Sequence, residues 1–204
     1  MQSEVGRDHL LIVAYHDTLD SAFAIAKNRQ RDQYYQRPYR PVSVFDGVEL
    51  LQGGSSNPND INIYNRYRAS YERRKNVPSL VRISGAAMLK ADSDPPQAQL
   101  TLTVEALAPL SGPGPLKVRF VLYEDNINFR ALNGQRHFDW VVRDILDEAN
   151  LSIFEPGATQ TFTRTVNLNN QWVAANLGFA VFVQRDPPGN KEVIGAADFH
   201  FPTP

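Results

Sequence analysis

The sequence predicts an α+β protein in two parts, a short α/β segment over residues 1–77 and a larger antiparallel β-sandwich over 78–204. Three observations carry this reading. A continuous apolar run, Leu10-Leu-Ile-Val-Ala-Tyr15, opens a stretch with helical periodicity. An Asp46-Gly47 pair sits between two β-prone runs. After Pro78 the texture changes to short Val-, Thr- and Phe-rich segments set apart by Pro and Gly.

The apolar run is six residues long and bounded by polar ones, which suits a buried strand better than a helix. Asp17 or Thr18 is placed to cap a following helix. Leu19, Ala22, Phe23, Ala26 and Tyr34 share one face of it, and Pro38 and Pro41 end it. Val42–Phe45 and Val48–Leu51 flank Asp46-Gly47, a strong local signal for a hairpin because both turn residues tolerate positive φ. Asn59 or Asp60 then caps a second helix, on which Ile63, Tyr64, Tyr67 and Tyr71 form a stripe while Arg66 and Arg73 lie off it. Residues 8 to 76 thus read β-α-β-β-α.

Segments near 79–91, 97–109, 116–125, 159–168, 176–185 and 191–202 alternate or run apolar. Between them stand Asp94-Pro-Pro96, Ser111-Gly-Pro-Gly-Pro115, Glu155-Pro-Gly157 and Asp186-Pro-Pro-Gly-Asn190. Short strands with such regular punctuation indicate a sandwich of the immunoglobulin or fibronectin kind. Residues 126–158 read instead as a long polar excursion, with Arg130, Arg136, His137, Trp140 and Arg143.

Composition narrows the chemistry. In 204 residues, 21 basic and 22 acidic side chains leave a net charge of −1, so no overall field favours nucleic acid or an anionic membrane. The chain has no cysteine, which removes disulfides, thiolate metal sites and Cys nucleophiles. No apolar run is long enough to span a bilayer, and the first residues lack the apolar core of a secretion signal. His9, His16, His137 and His200 have no ligand spacing, and neither a phosphate-binding Gly-rich loop nor Gly-x-Ser-x-Gly occurs. No cofactor and no metal are therefore expected.

Leu11-Ile-Val-Ala-Tyr-His16, the helix after it, and Arg40-Pro-Val-Ser-Val-Phe-Asp-Gly47 resemble the second half of a thioredoxin fold. Leu122-Tyr-Glu-Asp-Asn126, His137-Phe-Asp-Trp-Val-Val-Arg143 and Trp172 with Asn176-Leu-Gly-Phe-Ala-Val-Phe-Val-Gln184 and Glu192-Val193 narrow the resemblance. They are similar to the thioredoxin-like proteins related to the twenty-eight-kilodalton bacterial outer-membrane protein, in which a β-sandwich follows the thioredoxin domain. The resemblance implies a cell-envelope or secreted setting, and a cis Pro41. It also implies that the first strand, first helix and Cys-x-x-Cys pair of a complete domain are absent here, by truncation or by divergence. Removing that central strand leaves Leu10–Tyr15 and Val42–Phe45 with unpaired edges, which are templates for another chain. Those edges are expected to be filled by rearrangement or by self-association with a second copy.

Five residues stand out for binding. His16 beside Asp17 at a strand end is a candidate general base, although neighbours on a strand point to opposite sides and the plainer reading is a helix junction. Pro41 occupies the place of a peptide-binding loop in thioredoxin-like proteins, and is otherwise a strand entry. His137, Trp140 and Arg143 are the best candidates for a partner surface, since Trp and Arg dominate binding hot spots; alternatively Trp140 folds back to plug the sandwich end. The Arg/Tyr-rich stretches 29–40 and 64–74 could grip phosphates and stack bases, but residues 1–78 carry only 11 basic against 9 acidic side chains. They read better as a packed tyrosine face with solvated arginines. The expected function is a non-catalytic binding or structural module with a protein or peptide partner. The alternative is a fragment of a thiol–disulfide oxidoreductase whose Cys-bearing N-terminus lies outside this chain.

Overall fold

The computed structural model describes residues 2–16, 22–36, 41–55, 57, 59–90, 92–132 and 134–201. A short helix α1 (Gln2–Val5) and a 3-10 turn (Arg7–His9) precede helix α2 (Ala26–Tyr35). Then follow β1 (Val42–Phe45), β2 (Glu49–Gln52) and α3 (Ile61–Arg74). The rest is β3 (Val81–Lys90), β4 (Gln97–Ala106), β5 (Leu116–Glu124), β6 (Ile127–Asn128), β7 (His137–Phe138), β8 (Val141–Asn150), β9 (Thr159–Asn167), β10 (Leu177–Arg185) and β11 (Val193–His200). The chain is thus α+β, dominated by antiparallel sheets.

One sheet has the order β11-β10-β5-β8 and the other β3-β4-β9. Their facing sides share one core, with Leu100, Leu102 and Val104 from β4 meeting Val118, Phe120 and Leu122 from β5 and Phe179 and Val181 from β10. Along β4 buried and accessible positions alternate, as a strand with one wetted face requires. Every position of β10 is buried. A strand with no wetted face needs cover on its outer side, and the N-terminal residues supply it.

Here the structure corrects the first expected strand. Leu10–Tyr15 is extended, but among the described residues it joins no local sheet and makes one parallel bridge, Ala14 with Val141. The Ala14 N–H donates to the Trp140 carbonyl at 2.9 Å, and the Val142 N–H donates to the Ala14 carbonyl at 3.1 Å. Leu11, Ile12, Val13, Ala14 and Tyr15 pack on a cluster of Val121, Tyr123, Trp140, Val142, Ala180 and Phe182, the outward side chains of the four-stranded sheet. Covering that apolar face is worth more than pairing beside the four-residue β1, because each aliphatic side chain removed from water contributes about 1.5–3 kcal/mol.

Helix α2 is also corrected. It starts at Ala26, after Ile25 in extended conformation, and its predicted face is not the buried one: Ala22 and Ala26 are exposed, whereas Asn28 and Arg31 are buried. Polar partners orient this helix. Asn28 Nδ2 donates to the His16 carbonyl at 2.8 Å, and Lys27 Nζ donates to Asp144 at 2.8 Å. Asp17, Thr18 and Leu19 lie outside the described residues, as does Arg40, whose peptide bond to Pro41 decides that proline's isomer.

The hairpin and α3 follow the sequence closely. Asp46 and Gly47 take φ of 44° and 77°, and the Val48 N–H closes on the Phe45 carbonyl at 3.0 Å. Asp60 caps α3 by accepting from the Asn62 and Ile63 N–H groups; the side chain of Ser55 first, and then these two N–H groups, hold its carboxyl below the usual aspartate range. Tyr67 turns to the hairpin, its hydroxyl 2.8 Å from Ser43 Oγ and its ring edge-on to Phe45. Arg74 fastens this unit to the larger layers by bonding both Asp46 (2.9 Å) and Glu192 (2.8 Å).

The largest departure is β8. The region 126–158, expected as a polar excursion, contains the small β6–β7 hairpin and this ten-residue edge strand. Its pairing with β5 slips twice, between Val118 and Phe120 and between Leu122 and Tyr123. Each slip breaks the period of two that marks a strand in sequence.

Candidate functional site

A cleft of about 1480 Å³ opens between the Leu10–Tyr15 run, β1, β11 and one side of α2. All four residues of β1 line it. Among the described residues β1 pairs only with β2, so its other edge presents backbone N–H and C=O groups to the cleft. A second lining segment, Leu11–Val13, likewise has no ladder partner among the described residues. Two extended segments therefore line the same cleft.

At one end of the cleft lies Arg31, only 7% exposed. Its Nη2 donates to Gln184 Oε1 and to the Tyr35 hydroxyl, each at 3.1 Å. The guanidinium lies over the rings of Tyr34 (4.6 Å), Tyr35 (5.0 Å) and Phe182 (5.7 Å). Its Nε and Nη1 have no hydrogen-bond partner, nor do the hydroxyl of Tyr15 and Oδ1 of Asn28, both also lining the cleft. Burial raises the Tyr15 phenol above its ordinary pKa, so it is a neutral hydroxyl at physiological pH.

Two of the residues singled out in the sequence line the cleft, and three do not. His16 is half-buried, edge-on to Phe23 and Phe138 at 5.3 and 5.9 Å, and Pro41 is an exposed rim residue. His137 is exposed on β7. Trp140 is 4% exposed at a φ of 61°, with the Arg7 guanidinium 3.7 Å above its ring and Tyr123 beside it at 4.8 Å. Arg143 Nε donates to Glu124 at 2.7 Å. Tyr15, Asn28 and Arg31 escaped the sequence reading. Arg31 was grouped with solvated arginines, and its one distinguishing signal is the spacing Asn28, Arg31, Tyr35, which shares a helix face.

The hairpin tip sets the position of the β1 wall. A Cβ on Gly47 would lie 1.9 Å from the Lys191 carbonyl oxygen and 2.9 Å from Gln184 Nε2, at a φ that disfavours side chains. Gly47→Ala is therefore expected to cost about 1–3 kcal/mol in chemical denaturation and to loosen the tip, seen as faster amide exchange at Val193, whose N–H donates to the Asp46 carbonyl.

No protein-family model matches the chain, and no curated protein matches it. Among solved structures, HBP35 of Porphyromonas gingivalis superimposes with a TM-score of 0.67 over 93% of this chain, at 17% identity. The chain shares the HBP35 fold. It spans 62% of the length of that HBP35 structure. A domain of the outer membrane lipoprotein Omp28 from the same organism is also similar, with a TM-score of 0.38 and 19% identity, over 63% of this chain and 95% of that domain. At these identities it is the fold that is shared with HBP35. Among the described residues no three His, Asp or Glu side chains are grouped to hold a metal ion, and no helix is long and apolar enough to cross a membrane.

Proposed function

We propose that the protein is a non-catalytic binding module that takes an extended partner segment into the cleft along the free edge of β1. The observation that carries this is a strand edge, unpaired among the described residues, lining a cavity large enough for a short chain. Backbone groups on an open edge give affinity through ladder hydrogen bonds, and the alternating side chains of the guest give selectivity. Four residues of β1 match a guest of roughly four to five residues at about 3.3 Å each. His16 and Pro41 are wall residues in this reading, and Trp140 seats the Leu11–Tyr15 wall from the sheet beneath, while Arg143 pairs with Glu124 away from it. Residues 1–77 are read as a thioredoxin-like remnant lacking its central strand, residues 78–204 as an immunoglobulin- or fibronectin-like sandwich, and the setting as the bacterial envelope.

The test is selection of extended peptides from a display library on the immobilised protein, followed by amide exchange of the complex. Protection concentrated at Val42–Phe45 and Leu11–Val13 is the expected result. Binders that protect other surfaces, or none that bind, overturn the reading. A concentration-dependent dimer that protects the same amides would mean that the guest is a second copy of the chain.

The second reading is a fragment of a thiol–disulfide oxidoreductase, with the Cys-bearing segment outside this chain. An in-frame Cys-x-x-Cys codon pair upstream of Met1 would support it, and a stop codon there would remove it.

A further inference from the structure

We infer that Arg31 is a carboxylate-binding site at the end of the cleft, and that the guest segment carries an acidic side chain that pairs with it. This rests on the cleft being a docking site for an extended peptide, and it names the chemistry that the peptide must bring.

A buried guanidinium ordinarily has a counter-charge, because removing a cation from water is repaid only by an anion or by a full set of acceptors. Arg31 has neither. Both acceptors of its Nη2 are neutral, and the aromatic faces of Tyr34, Tyr35 and Phe182 contribute partial compensation at most. Two kinds of donor, Nε–H and Nη1–H, remain unused on a residue 93% buried at the cleft wall. Two carboxylates near it are engaged elsewhere. Asp186 accepts from the Tyr34 hydroxyl and from Arg119, and Asp144 accepts from Lys27. The neutral hydroxyl of Tyr15 is a further unused donor in the same wall, so a carboxylate entering there finds three donor groups. Asn28 Oδ1 lacks a donor and would accept the guest's backbone or amide N–H.

The hairpin links this site to the β1 edge. Gln184, which accepts from Arg31, lies directly under Gly47, the turn that ends β1. A strand laid along Val42–Phe45 therefore runs toward Arg31, and an acidic residue near one end of it reaches the guanidinium.

The experiment runs the peptide selection in parallel on the natural protein and on Arg31→Met. Peptides chosen by the natural protein should be enriched in Glu or Asp at one position, and the enrichment should vanish with Arg31→Met. Changing that Glu to Gln in a synthetic winner should weaken binding roughly tenfold or more to the natural protein, and by less than about twofold to the variant. If Arg31→Met fails to fold, Arg31→Lys serves instead; it keeps the charge but loses the planar fork, and should recover only part of the Glu preference. Winners without acidic enrichment, or enrichment that persists in Arg31→Met or stays undiminished in Arg31→Lys, overturn the carboxylate site. Protection of Val42–Phe45 by those same peptides would still leave peptide docking standing, so the two failures are distinguishable.

Discussion

Arg143→Met is expected to lower stability by about 3–5 kcal/mol, read as a fall in the urea midpoint at constant slope. Glu124, 2% exposed, lies at the end of β5 and accepts from Arg143 Nε at 2.7 Å and from the Val173 N–H at 2.9 Å. Removing the guanidinium strands a carboxylate in a place with little water. Methionine keeps most of the volume over Phe23, so the loss reports the charge rather than a cavity. The double variant Arg143→Met/Glu124→Gln should regain a large part of the loss, because a neutral amide tolerates the site that an unpaired anion does not. A single-variant loss below about 1 kcal/mol would mean that water reaches Glu124 and that the pair is not a fastening of the β5–β8 edge.

Trp140→Ala should be of comparable size, about 3–5 kcal/mol, with a second consequence. The indole lies between Tyr123 and the guanidinium of Arg7, which also pairs with Asp125. Its loss uncovers the patch on which the N-terminal run is seated, so residues 7–16 should detach before the sheets unfold. Limited proteolysis after Arg7 should accelerate far more than global unfolding does. The positive φ at this position separates ring from backbone: Trp140→Gly should be less damaging than Trp140→Ala by about 1 kcal/mol, since only glycine adopts that conformation freely. Unchanged cleavage at Arg7 in both variants would show that the run is held by the Ala14–Val141 bridge alone.

Legibility in the sequence followed the range of the interactions concerned. The Asp46-Gly47 hairpin, the Asp60 cap and the tyrosine stripe of α3 depend on neighbours within a few residues, and each was readable. Strands β3, β4, β5, β9, β10 and β11 lie within the segments marked by alternation and Pro/Gly punctuation. What escaped was decided at a distance. Strand β8 hides its alternation behind two register slips imposed by β5. Leu10–Tyr15 has the composition of a strand, but the face it covers is assembled from β5, β8 and β10, more than a hundred residues away. The cleft follows the same pattern. His16 and Pro41 were visible through local context, whereas the burial of Arg31 depends on Gln184 and Phe182 from β10, which no local window contains.

The run from Leu11 to Tyr15 has two sides in use, one sealing the four-stranded sheet and the other walling the cavity. Occupancy of the cavity and detachment of this strip are consequently linked equilibria. Any guest that touches it makes peeling harder, and weakening its seat at Val121, which does not line the cleft, lowers guest affinity as the peeled fraction grows.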